Sequence, residues 1–198
     1  MAQAHRPTRT NSGARSPGAG PANERNWLLR LGAPPVAATA MTATVALYTA
    51  LVAFGNIMDF GTNQQFVQHV LSMDTTFKDP DLMWRAIESP ALQNAAYVAV
   101  IVWEALAAVV LLAATWFWIT GLRRDAYDRA RAASTVGLVM VLLLFGVGFL
   151  AIGGEWFAMW QSSDWNGLDA AARNSALAAF TLLVVHLPRV RPADADRT

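Results

Sequence analysis

PALQNAAYVAVIVWEALAAVVLLAATWFWIT, residues 90–120, is the stretch that decides the fold. It carries a single acid, Glu104, and no base, and it is entered through Ser89 and Pro90, a good N-cap followed by a good first helical residue. At 1.5 Å per residue such a helix rises about 45 Å, more than the roughly 30 Å hydrocarbon core of a bilayer, so it crosses with a tilt or projects beyond it. Outward from this run lie three more. The first covers about Val36–Met58 and follows Pro34-Pro35, the third about Ala132–Ile152, and the fourth about Ala170–Leu187. Arg173 and Asn174 stand in the first turn of the fourth, where an arginine snorkels to the surface.

The whole chain agrees with that reading. Its 198 residues are 55% hydrophobic and 15% charged, against about a quarter charged in soluble domains. The expected fold class is therefore all-α, a four-helix transmembrane bundle, with the lipid bilayer as its first partner and no nucleic acid. Cysteine is absent, which removes disulfides, thiolate metal sites, cysteine nucleophiles and covalent haem attachment. Residues 1–33 are rich in Arg, Pro and Gly without apolar periodicity and are expected to be a disordered cytoplasmic tail. Residues 34–188 form the membrane domain, and residues 189–198 a second cytoplasmic tail.

Charge sets the expected orientation. Twelve of the fifteen basic residues fall in the two tails and in the loop holding Arg123, Arg124, Arg129 and Arg131; Lys78, Arg85 and Arg173 fall on the other side. The positive-inside rule then puts both termini in the cytoplasm. Eight acids against three bases leave the outer side at net −5, a field screened within about 8 Å at physiological salt.

The outer segment Asp59–Ser89 reads as structured. Thr62-Asn63-Gln64-Gln65 fits a capping box, and Phe66, Val67, Val70 and Leu71 give the following helix one apolar face. Asp79-Pro80 is expected to open a second short helix bearing Leu82, Met83 and Ile87. With Trp84, Trp156, Trp160 and Trp165 on the same side, the picture is of short interfacial helices on the extracytoplasmic side.

Two groups of residues are site candidates. The intramembrane group centres on Glu104, whose charged form would cost on the order of 3 kcal/mol in a span, so burial favours the neutral acid. At 100° per residue Gln93, Tyr97, Glu104 and Thr115 share one stripe of their helix. Thr42, Thr49 and Asn56 recur at heptad spacing on the first span and face such a stripe or act as packing glue. Chemically this is either a proton or cation site or a packing lock between helices. The outer-face group is Asp59, Asn63, His69, Met73, Glu155, Trp156 and Trp160. His69 and Met73 lie four apart, a pair able to ligate copper or haem iron. His186 is expected on the opposite side, however, so no second histidine completes a pocket and no metal or cofactor is assigned. Gly153 to Gly167 packs three tryptophans around Glu155, suited to interfacial anchoring or to an aromatic cage.

These same residues carry a resemblance. The block from Asn56-Ile57-Met58-Asp59 to Asp74-Thr75-Thr76-Phe77, the Gly153–Gly167 segment, Trp84-Arg85-Ala86-Ile87, and Ala96-Tyr97 with Glu104 resemble the bacterial predicted small integral membrane proteins, a family catalogued as a domain of unknown function. The similarity covers about residues 36–187. It implies a protein of the plasma (inner) membrane and brings no activity, cofactor or site role with it. Function is therefore read first as a non-enzymatic accessory or assembly subunit, with another membrane subunit as partner. One alternative is a proton- or cation-coupled carrier using Glu104, and a second is a metal or haem redox protein using His69 and Met73.

Overall fold

The computed structural model describes residues 32–188. Apart from Gly32 and Ala33, the two expected tails lie outside them. Helix α1 (Pro34–Met58) opens on its two prolines, whose missing N–H groups would be unpaired there in any case. Its buried face is a narrow row of small or hydroxylated side chains, Ala38, Thr42, Ala46, Thr49 and Ala53, recurring every three to four residues. The opposite face, with Leu47, Leu51 and Phe54, is exposed.

Asp59 alone separates α1 from α2 (Phe60–Ser72); its N–H still donates to Gly55 O at 2.8 Å. The capping box at Thr62 is thus not the helix start. Thr62 already sits inside the first turn and its hydroxyl donates to Asp59 Oδ1 at 2.9 Å, because the chain resumes helix directly after one broken residue. Met73 ends α2 in the left-handed region at φ 54. The second short helix expected from Asp79-Pro80 reduces to one tight turn, Met83–Arg85. Beyond it the chain has to be extended to enter Pro90, since the residue before a proline avoids the helical region. Ile87 N–H ties that extended piece to the end of α2 through Leu71 O at 2.8 Å.

Helix α3 (Pro90–Arg124) runs unbroken for 35 residues. A short turn leads into α4 (Asp128–Leu142), and a Cβ at Gly121 would stand 2.6 Å from Ala126 O, so no other residue fits this turn. The same axis then continues as a wider helix over Leu143–Trp156, hydrogen-bonded five residues back, as Phe157 N–H to Ile152 O (3.0 Å) illustrates. A tight turn at Met159–Gln161 precedes α5 (Leu168–Val185). Among the described residues the structure is all helix. Four stretches are long and apolar enough to cross a bilayer: Pro34–Met58, Pro90–Arg124, Asp128–Trp156 and Leu168–Val185. The cap, made of α2 and the two tight turns, lies at one end of the bundle. The arginines of the α3–α4 turn lie at the other.

Packing differs along the bundle. At the arginine end, a Cβ at Gly137 would lie 2.6 Å from Leu111 Cγ, so α3 and α4 touch almost backbone to side chain. Ser134 Oγ there accepts from Trp118 Nε1 at 2.9 Å and meets Thr42 Oγ1 at 3.4 Å, joining α1, α3 and α4. Past Leu142 the wide segment parts from α3 but keeps its packing on α5.

Candidate functional site

Midway along α3, Glu104 is 2% exposed. Its carboxylate accepts one hydrogen bond, from Asn56 Nδ2 at 2.6 Å, close to the cap end of α1. Tyr97, two turns nearer the cap on the same face of α3, donates its hydroxyl to the backbone carbonyl of that same Asn56 at 3.0 Å. A three-residue cluster results, with Asn56 held from both ends. The α1 spacing leads to it: residues one heptad apart share a face, and Thr42, Thr49 and Asn56 all turn towards α3 and α4. Thr42 reaches Ser134 and Asn56 reaches Glu104, while the buried Thr49 hydroxyl finds no hydrogen-bond partner.

A cavity of about 270 Å³ opens beside this cluster, bounded by α1, α2, α3, the wide helix and α5. Asn56, Tyr97 and Glu104 line it, as do Asn63 on α2 and Asn174 on α5. The remaining wall is largely aromatic and small: Phe66, Phe145, Phe149, and Gly167 with Ala170 and Ala171. Glu104 is the only acid among the lining residues, and none of them is basic. Chemically the pocket offers an anionic or protonated carboxyl, several amide groups and a set of ring faces. Such a set suits a proton or a cation.

The other members of the stripe go elsewhere. Gln93 is buried but donates to Ile87 O at 2.7 Å, fastening the cap to the head of α3. Thr115 bonds back to Leu111 O at 2.9 Å, satisfied within its own helix.

The outer-face residues do not gather in one place. Asn63 joins the cavity, and Asp59 sits at the α1–α2 break. His69 Nδ1 and Asp74 Oδ2 are 2.7 Å apart, and the imidazole stacks on Trp165 with centroids 4.4 Å apart. Met73, by contrast, is buried with Phe157 and Ala158, so the left-handed end of α2 takes it off the face His69 occupies. Trp156 and Trp84 meet edge to face at 5.5 Å with the Arg85 guanidinium over both rings. Trp160 meets Phe77 in the same manner at 5.9 Å. Glu155 is exposed beside them. Among the described residues no three His, Asp or Glu side chains come together as a metal-binding group.

Sequence reasoning missed Asn174, Phe145, Phe149 and Phe66 as site residues. Phe145 and Phe149 are four apart on one run and share a face, a signal that was available. Asn174 read only as a polar residue at a membrane edge. Asn94, which accepts from Gln64 (2.7 Å) and Gln68 (3.4 Å) to seat α2 on α3, was missed as well.

Comparison with known proteins gives one finding. The family described as Predicted small integral membrane protein (DUF2165) matches residues 35–188, the whole bundle with its cap. Neither the curated proteins nor the solved structures contain a match.

Proposed function

The chain belongs to this family of small integral membrane proteins, and on that premise we propose that it is a non-enzymatic membrane protein that binds a proton or a cation at Glu104. The observation carrying this reading is a carboxylate buried in a bundle, hydrogen-bonded to a neutral amide, in a cavity whose lining contains no base. A carboxylate so placed keeps its charge only if a cation joins it, and otherwise holds a proton. The positive-inside rule supports the cap end as the extracytoplasmic one, since Arg123, Arg124, Arg129 and Arg131 gather at the opposite end; the membrane proposed is the plasma membrane. Proton or cation then arrives from outside, past Asn63 and Asn174.

Infrared difference spectroscopy of the protein in nanodiscs, between acid and alkaline buffer, tests this directly. A carboxyl C=O band that titrates in the wild type and is missing from Glu104→Gln is the expected result. Absence of any such band, with cation addition leaving the carboxylate bands of both proteins alike, would overturn the reading.

An accessory or assembly role is the second reading, and one observation favours it. The cap exposes a cluster of large rings, with Trp84 69% exposed beside Trp156, Trp160 and Phe77, of the residue types enriched where proteins meet. Native mass spectrometry after gentle extraction from the source membrane tests it. A stoichiometric partner subunit supports the role, and a bare chain removes it.

A further inference from the structure

Resting on the Glu104 reading, we infer that the cavity's cation is the ammonium head of a single-chain amphiphile, whose apolar tail lies in a crevice between α3 and the wide helix. Three adjoining cavities carry the inference. The Glu104 cavity shares Phe66, Val67, Val100 and Phe149 with a second, of about 190 Å³, under α2. This second cavity shares Val100, Gly148 and Ile152 with a third, of about 340 Å³, on the flank of the bundle. In that order of shared walls they lead from the flank of the bundle towards the carboxylate.

Chemistry changes along that path in the order an amphiphile requires. Ala99, Trp103, Leu144 and Val147 line the outer mouth, and the middle is as apolar. Polar groups cluster at the far end, where Glu104 and the Asn56, Asn63 and Asn174 amides meet the ring faces of Phe66, Tyr97, Phe145 and Phe149. A carboxylate among aromatic faces is the combination that recognises organic ammonium ions, through charge and through the ring quadrupole. A bare inorganic cation would use the oxygens but have no need of the rings or of a greasy side entrance.

The crevice has a structural cause. Trp103 Nε1 donates to Met140 O at 2.9 Å, holding α3 and α4 together just before they part. Beyond that point the hydrogen bonding shifts to five residues back, and the wide segment keeps its packing on α5 while leaving α3. Gly148 faces the resulting gap: a Cβ built there meets nothing closer than Leu143 O and Leu144 Cδ1, both at 3.9 Å. A Cβ at Gly148 therefore has room at the edge of the path.

The test uses the full chain in nanodiscs, with empty nanodiscs as the blank, and three probes measured by equilibrium dialysis: dodecylammonium, methylammonium and dodecanol. Wild type is expected to bind dodecylammonium about tenfold or more tighter than either other probe, and Glu104→Gln to lose that advantage. Gly148→Leu should weaken dodecylammonium by about tenfold while sparing methylammonium, because it plugs the tail path and leaves the head site. Ala99→Phe, at an exposed position of the outer mouth, repeats that result should Gly148→Leu fail to fold. Equal binding of the two amines, plugs without effect, or dodecylammonium held as tightly by Glu104→Gln would each overturn the inference. In those cases a titrating Glu104 band in the infrared leaves the proton-or-cation reading standing. Loss of that band together with loss of amine binding removes both.

Discussion

The two halves of this bundle solve the same problem in opposite ways. At the arginine end, α1, α3 and α4 close on one another: Gly137 admits Leu111 against the backbone, and Ser134 serves both the Trp118 indole and the Thr42 hydroxyl. At the cap end α3 and the wide helix separate, and the space beside them holds a carboxylate, three amides and an aromatic wall. Both ends bury polar groups. One spends them on packing, while the other leaves Glu104 with a single neutral partner beside open volume. In a bilayer there is little hydrophobic drive between helices, so close contact and hydrogen bonds have to do the holding. An end that forgoes close contact is therefore the one to examine for ligand chemistry.

Substitutions along α4 and its continuation sharpen that contrast. Gly137→Ala should have the largest effect, lowering stability by about 2 kcal/mol, because the new methyl overlaps the buried Leu111 side chain, which has to shift in a packed contact. Thermal unfolding in detergent reads it as a drop in midpoint. Ser134→Ala comes next, at about 1 kcal/mol, since the Trp118 indole N–H loses its acceptor in an apolar surround. The same melts, with Trp118→Phe as the paired variant, should show the two losses failing to add.

Gly148→Ala is the decisive contrast with Gly137→Ala. Its methyl meets only ordinary van der Waals neighbours, and alanine favours helix, so stability should hold or rise by about 0.5 kcal/mol. A loss as large as that of Gly137→Ala would show the crevice to be closed and would break the comparison. Thr115→Val is expected to do least, within about 0.5 kcal/mol, because its hydroxyl serves only its own helix.

Particular residues show how far the sequence reaches. The four spans follow from hydropathy, because an apolar run of that length has no other way to satisfy its backbone in lipid. Glu104 was legible for the same reason, as a costly exception in a run with no other charge. Asn56 was legible as part of a heptad row. What helix arithmetic cannot supply is the partner of each face. Gln93, Tyr97, Glu104 and Thr115 share a stripe by angle, yet they divide among the cap, Asn56 and the helix's own carbonyl. The widening at Leu143–Trp156 left no trace either, since a uniformly apolar run reads alike whether it bonds four or five residues back. The cavity borders that widened segment, so although the Phe145–Phe149 spacing was legible, the space it faces was not. Met73 was misplaced on the His69 face because one left-handed residue redirects the chain, and no local sequence signal marks it.

The Asn56–Glu104 bond has a consequence for synthesis. Residues nearer the N-terminus emerge first, and α1 then enters the bilayer with Thr42, Thr49 and Asn56 all on one side and neither Ser134 nor Glu104 yet made. Until α3 and α4 follow, that side of α1 is an unpaired seam in hydrocarbon, and α3 by itself carries an equally unwelcome acid. Each helix is a poor solitary occupant of the membrane and a good companion to the other. The pairing thus gives each helix its polar partner only once both have been made.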